Sequence, residues 1–238
     1  MLGSFTKRCL TGLLIVACSS SAAFCDSIEE HQYLKETGKD KILFNWRLET
    51  GKQLRLITDL GEERDVTLMN NDLATRSWKI HDPAAQTDLL VRREGNRLAI
   101  NGLFKGEKIE RSEKIDASPW YQALSTSLRQ FIDPQHDRLE FWSIRPDTLE
   151  VFRLQVSREG EELHNVNGIP TATIKLKIQL TGLKSMFWSC RYWLRKEDGL
   201  FVRYAGPSGP PGWPETTVEL IPAPAEARTG EVSARPAQ

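Results

Sequence analysis

Residues 173–180 read Thr-Ile-Lys-Leu-Lys-Ile-Gln-Leu, with Ile174, Leu176, Ile178 and Leu180 on one parity and Thr173, Lys175, Lys177 and Gln179 on the other. Successive side chains of a strand point to opposite faces, so this stretch is a strand with one dry and one wet side. Working outward, the same alternation recurs at 42–48, where Ile42, Phe44, Trp46 and Leu48 share a parity. Rougher versions occupy 53–58, 63–69, 75–81, 87–93, 97–104, 137–145, 148–157, 187–195, 200–205 and 216–221. Turn residues punctuate them at roughly ten-residue spacing: Gly51, Gly95-Asn96, Gly160, Asn167-Gly168 and Asp198-Gly199. Asn-Gly and Asp-Gly suit the positive φ of tight hairpins.

One helix interrupts the strands. Ser118 is placed as its N-cap and Pro119 at the first helical position, where a missing N–H costs nothing. Trp120, Leu124, Leu128 and Phe131 follow at helical spacing, and Pro134 stops the run. The expected fold is therefore mainly β: a long antiparallel meander forming a curved sheet or open barrel, with one amphipathic helix packed on its concave face. It occupies residues 26–222 as a single domain. Residues 206–214 (GPSGPPGWP) read as a rigid loop, and 223–238 as a Pro/Ala-rich tail unable to bury a core.

Residues 1–25 read as an export signal: Lys7 and Arg8, then the apolar run CLTGLLIVA, then small residues. The run is about half the roughly 20 residues that a spanning helix needs. Two processing sites compete. Leu14-Ile15-Val16-Ala17-Cys18 is similar to a bacterial lipobox, which implies cleavage before Cys18 and diacylglycerol on its sulfur. Ser21-Ala22-Ala23 suits ordinary cleavage after Ala23 and a soluble product. Lipidation with Ser19 at the next position implies outer-membrane sorting; the expected location is the periplasm or outer membrane of a Gram-negative bacterium. In that oxidising compartment Cys25 and Cys190 are candidates for a disulfide, against the alternative of two free thiols.

The 238 residues carry 32 basic and 32 acidic side chains, and removal of 1–25 leaves 30 and 32. A near-neutral chain lacks the basic stripe of a nucleic-acid binder, so no nucleic-acid partner is expected. His31, His81, His136 and His164 lie far apart in sequence, and no metal-ligand spacing, G-x-S-x-G elbow or phosphate cradle occurs. No catalytic residue, metal site or cofactor is assigned. Tryptophan is the informative residue. Trp188 and Trp193 differ by an odd number, and Phe141 sits beside Trp142, so aromatics fall on both sides of the strands. That requires a bulge, a second covered face or an exposed apolar patch.

The order of elements also resembles a family of exported bacterial proteins of unknown function. The matching positions are Ser125, Leu128 and Arg129 on the helix, Glu162 before Asn167-Gly168, Tyr192-Trp193, Asp198, Arg203 and Glu219-Leu220. The resemblance covers about residues 115–221. It implies a strongly curved antiparallel sheet wrapped on a helix, a half-barrel like that of periplasmic lipoprotein carriers, and it brings no catalytic residues.

Three functions follow as expectations. The first is a non-enzymatic envelope protein holding a lipid-like or other hydrophobic molecule between helix and sheet, lined by Trp120, Leu124, Leu128, Phe131 and Trp142, with Cys18 as the membrane anchor if modified. The second is an envelope scaffold or assembly factor binding another protein through aromatics and the 206–214 loop. The third, a hydrolase of envelope polymers, requires histidines and acids from distant strands to converge.

Overall fold

Alternating one-sided strands must curl or stack to bury their dry faces, and this chain curls. The structure, a computed structural model, describes residues 27–166, 168–182, 188–207 and 214–221. Its strands are β1 (Ser27–Thr37), β2 (Asp40–Thr50), β3 (Leu54–Leu60), β4 (Glu63–Met69), β5 (Thr75–Asp82), β6 (Thr87–Glu94), β7 (Arg97–Phe104) and β8 (Glu107–Lys114), then β9 (Arg138–Ile144), β10 (Val151–Val166), β11 (Ile169–Leu180), β12 (Ser189–Arg195), β13 (Phe201–Pro207) and β14 (Glu215–Ile221). They form one antiparallel sheet in the order β8-β7-β6-β5-β4-β3-β2-β1-β14-β13-β12-β11-β10-β9. Consecutive strands pair throughout except β8 and β9, which are the free edges, while β1 and β14 meet in the middle of the sheet. The expected strands are present, and β1 and β8 are additional to them.

Three bulges bend the ladder, between Leu68 and Met69, Arg158 and Gly160, and Trp193 and Leu194. Gly160 has φ of +149°, a backbone conformation that a side chain would strain. β10 pairs with β9 only as far as Ser157, before this bulge, and the β10–β11 hairpin runs on past the edge.

The helix differs from the expectation. It begins at Leu124, not at Pro119: α1 is Leu124–Ser127, followed by a 3₁₀ turn, Leu128–Ile132. The residues before it are extended and form a seam between edge strand β9 and the start of β5. Trp120 bridges Trp142 of β9. Trp142 N donates to Pro119 O, Tyr121 N donates to Trp142 O, and Thr75 N at the start of β5 donates to Trp120 O, each at 2.8 Å. Helical geometry here would leave the backbone groups of β9 and β5 without partners, a larger cost than five residues of helix propensity recover. Asp116 Oδ1 accepts from Trp142 Nε1 and from Ser118 N, and Arg93 of β6 donates to the carbonyls of Asp116 and Ser118.

The short helix is clamped to the inner face. Trp46 Nε1 donates to Ser125 Oγ at 3.0 Å, Ser127 Oγ to Leu73 O at 2.9 Å, and the Arg129 guanidinium to both oxygens of Glu29 at 2.8 Å. Burial raises the Glu29 carboxyl, but hydrogen bonds from His31 and Arg129 outweigh it and hold it at about 2. Arg158 donates to the carbonyls of Phe131 and Asp133, satisfying the end of the helical segment. Two cores result. One joins Tyr33, Trp46, Leu128, Phe131, Phe141 and Leu176; the other joins Trp78, Leu89, Ile100, Trp120 and Ile144.

Trp120 is fully buried and sits where edge strand β9 is joined to the start of β5. Trp120→Ala is expected to lower the unfolding free energy by about 3–5 kcal/mol. Urea denaturation followed by circular dichroism measures it; a loss under about 1 kcal/mol would contradict this role for the seam.

Candidate functional site

The inner face of the sheet is wider than the helix that enters it. Beside the helix a cavity of about 870 Å³ remains, within the roughly 300–1,000 Å³ typical of small-molecule sites. On β1 it is lined by Lys35 and Thr37, whereas the helix clamps Glu29 at the other end of that strand. Gln122 to Ser125 therefore close one end. Its apolar wall comes from facing strands: Phe44 and Leu56 on one side, Phe152, Leu154, Leu180 and Val218 on the other, with Trp188 and Tyr192.

Space there depends on Gly206 in β13. A Cβ at this position would stand 2.4 Å from Cys190 Cβ and 2.7 Å from Tyr204 Oη, so a side chain would displace two lining residues. Burial pushes the Cys190 thiol and the Tyr204 and Tyr192 hydroxyls well above their ordinary values, so all three are neutral. Cys190 is buried and has no disulfide partner among the described residues. Its suggested partner Cys25, the lipid-attachment candidate Cys18, the signal at 1–25, the tail at 223–238 and positions 208–213 of the proline-rich loop lie outside the described residues.

Of the five residues expected to line a ligand site, Leu124 lines the cavity. Trp120, Leu128 and Phe131 are fully buried among other side chains. Trp142 lies outside the cavity lining, its indole N–H on Asp116 and Arg153 5.9 Å from its ring. The helix stripe splits this way because its first member belongs to the seam and its later members fill the core.

Aromatics on both faces are explained by cationic covers. Trp193 points outward yet is only 7% exposed. Lys175 and Arg203 lie 5.4 and 5.3 Å from its ring, and its indole N–H donates to Glu162. The long side chains lay apolar stems on the ring while their charges pair outward, Lys175 with Glu162 and Arg203 with Glu219. The loosely matching positions Glu162, Trp193, Arg203 and Glu219 thus form one outer-face arrangement.

Asp65 carries no signal in the alternation of the chain. It lines the cavity from the middle of β4, paired across the sheet with Thr58 and Ile80. Trp78 Nε1 reaches its Oδ2 at 3.4 Å, and its Oδ1 is buried with no hydrogen-bond partner. Burial foremost, then the like charge of Glu63, raise this carboxyl to about 7. Arg145 and Asp147, also in the lining, pair with each other at 2.7 Å. None of the four histidines lines the cavity: His31 bonds Glu29, His81 and His136 stand beside Asp88 and Asp133, and His164 lies against Trp193. Among the described residues no group of three or more His, Cys, Asp or Glu could hold a metal ion.

No protein-family model matches the chain, and no curated protein matches it significantly by sequence. Its fold is similar to a β-barrel-like protein of domain of unknown function DUF1849 from Brucella abortus, with a TM-score of 0.55 and 8% identity over 81% of this chain and 94% of that one. A DUF1329 protein from Desulfovibrio piger aligns over 84% and 85% of the two chains, with 12% identity and a TM-score of 0.27. The curved, unclosed antiparallel sheet expected from the loose family resemblance is thus shared with a bacterial β-barrel-like protein.

The raised Asp65 carboxyl has a consequence for stability. Between the unfolded value of about 4 and the folded value of about 7, the native state holds a proton that the unfolded chain has lost. Its contribution is therefore present at acid pH and lost as pH rises to 7. The stability of Asp65→Asn relative to the parent should rise from pH 4 to pH 7 and level off above. Urea unfolding of both proteins at each pH measures the difference; a flat difference would contradict the raised value.

Proposed function

We propose that this chain is a non-enzymatic binding protein of the bacterial envelope whose curved sheet holds the alkyl chain of a lipid-like molecule. The observation that carries this reading is the cavity of about 870 Å³ between facing apolar walls of one sheet. A fold with a filled centre has no use for Phe44, Leu154, Leu180 and Val218 around open space, because unfilled volume costs dispersion contacts. An alkyl chain restores those contacts and contributes about 0.8 kcal/mol for each CH₂ taken out of water. The β-barrel-like relative in Brucella supports the fold on which the reading rests. The apolar run and small residues of 1–25 support export, and Leu14 to Cys18 support a lipid anchor at Cys18. The scaffold reading draws less support, because outward Trp193 is already covered by Lys175 and Arg203.

Native mass spectrometry of the purified protein with a ten-carbon amphiphile tests the proposal. One chain should bind per protein, and Val218→Trp, which places an indole in the cavity, should reduce occupancy at least about ten-fold while retaining the native circular dichroism spectrum. Equal occupancy in the parent and in a folded Val218→Trp variant would place the chain elsewhere and overturn the reading.

A further inference from the structure

Asp65 is costly in the protein as it stands. Its Oδ1 is buried without a partner, and its Oδ2 has one long hydrogen bond from Trp78. The charged groups acting on it are of its own sign, Glu63 beside it on β4 and Asp82 at the end of β5. The cation in this part of the cavity, Lys35 of β1, acts on Glu63. No ion pair involves Asp65 among the described residues, whereas the lining pair Arg145 and Asp147 satisfies itself. An unpaired carboxyl in an apolar wall is relieved by neutralisation or by a donor brought from outside.

We propose that the molecule held in the cavity is a cationic amphiphile, a single alkyl chain ending in a primary ammonium group, with the ammonium on the carboxylate of Asp65 and the chain along Phe44, Leu154 and Val218. This rests on the alkyl-chain reading above and names the head group. An ammonium supplies three donors, enough for the open Oδ1 and for the hydroxyl of Thr58 or Thr67 beside it on the wall. A charge-assisted bond is about twice as strong as a neutral one, which separates an amine from an alcohol of the same length. A carboxylate head would meet Asp65, Glu63 and Asp82 with like charge.

Titration calorimetry at pH 7.5 with decylamine, decanol and decanoate, each below its micelle concentration, tests this. Decylamine should bind at least about ten-fold more tightly than either of the others. In Asp65→Asn the advantage of decylamine over decanol should vanish. Should that variant fail to fold, the parent decides alone: repeating the decylamine titration in two buffers of different ionisation enthalpy should reveal net proton release at pH 7, absent with decanol. Decanoate or decanol binding as tightly as decylamine would overturn the head-group assignment while leaving the alkyl-chain reading intact, as would a preference that survives in folded Asp65→Asn. Failure of all three to bind would overturn both.

Discussion

A sheet of fourteen strands has two edges, β8 and β9, and the chain that leaves β8 covers part of the β9 edge. Residues 115–122 leave β8, run between β5 and β9, and give backbone hydrogen bonds to both through Trp120, Tyr121 and Pro119. The side chain of Gln122 continues the substitution, bonding the N–H and C=O of Ile144. Because that segment is committed to the seam, only nine residues remain helical, from Leu124 to Ile132. A helical segment so short fills part of the sheet's interior and leaves the rest as a chamber. Seam, short helix and cavity are therefore consequences of one constraint, the need to satisfy backbone groups along β9 and at the start of β5.

Polar chemistry is sorted by face. Outside, Trp193 and Trp142 lie beneath cationic side chains whose charges are paired in turn, an economical cover for apolar surface. Inside, the Arg129–Glu29 pair fastens the helix at one end of the sheet, and Asp65 stands without an opposite charge at the cavity. The first arrangement is complete within the chain. The second is relieved by a proton or by a donor from outside, which is why the proposed binding surface is the interior and not the aromatic outer face.

Much of the fold was legible in the alternation of β2 and β11, whose dry parity is the buried one from Phe44 to Leu48 and from Ile174 to Leu180, with Ile42 at the start of β2 exposed. β1 was not, because its inward positions include Glu29, His31, Lys35 and Thr37, polar residues used at the helix clamp and the cavity. β8 was missed for the opposite reason: as an edge strand exposed on both faces it has no dry parity. The stripe of aromatics puts the helix start five residues too early, since it records burial and not the hydrogen-bond partner. Leu124 could be anticipated as a lining residue from that stripe. Asp65 could not, because in β4 the apolar parity, Val66 and Leu68, faces outward beside Ile57, while Asp65, Thr67 and Met69 face in. Only the register against Thr58 and Ile80 reveals the inversion.

Beside its short helix the curled sheet leaves a mostly apolar chamber of a size to take one alkyl chain. Anomalous diffraction from crystals grown with a terminally brominated alkyl amphiphile tests it most directly, since bromine reports its own position. A single bromine site is expected among Phe44, Leu154, Leu180 and Tyr192, with the sheet otherwise unchanged. A chamber packed shut by its own side chains, with bromine only on the outer surface, would contradict it.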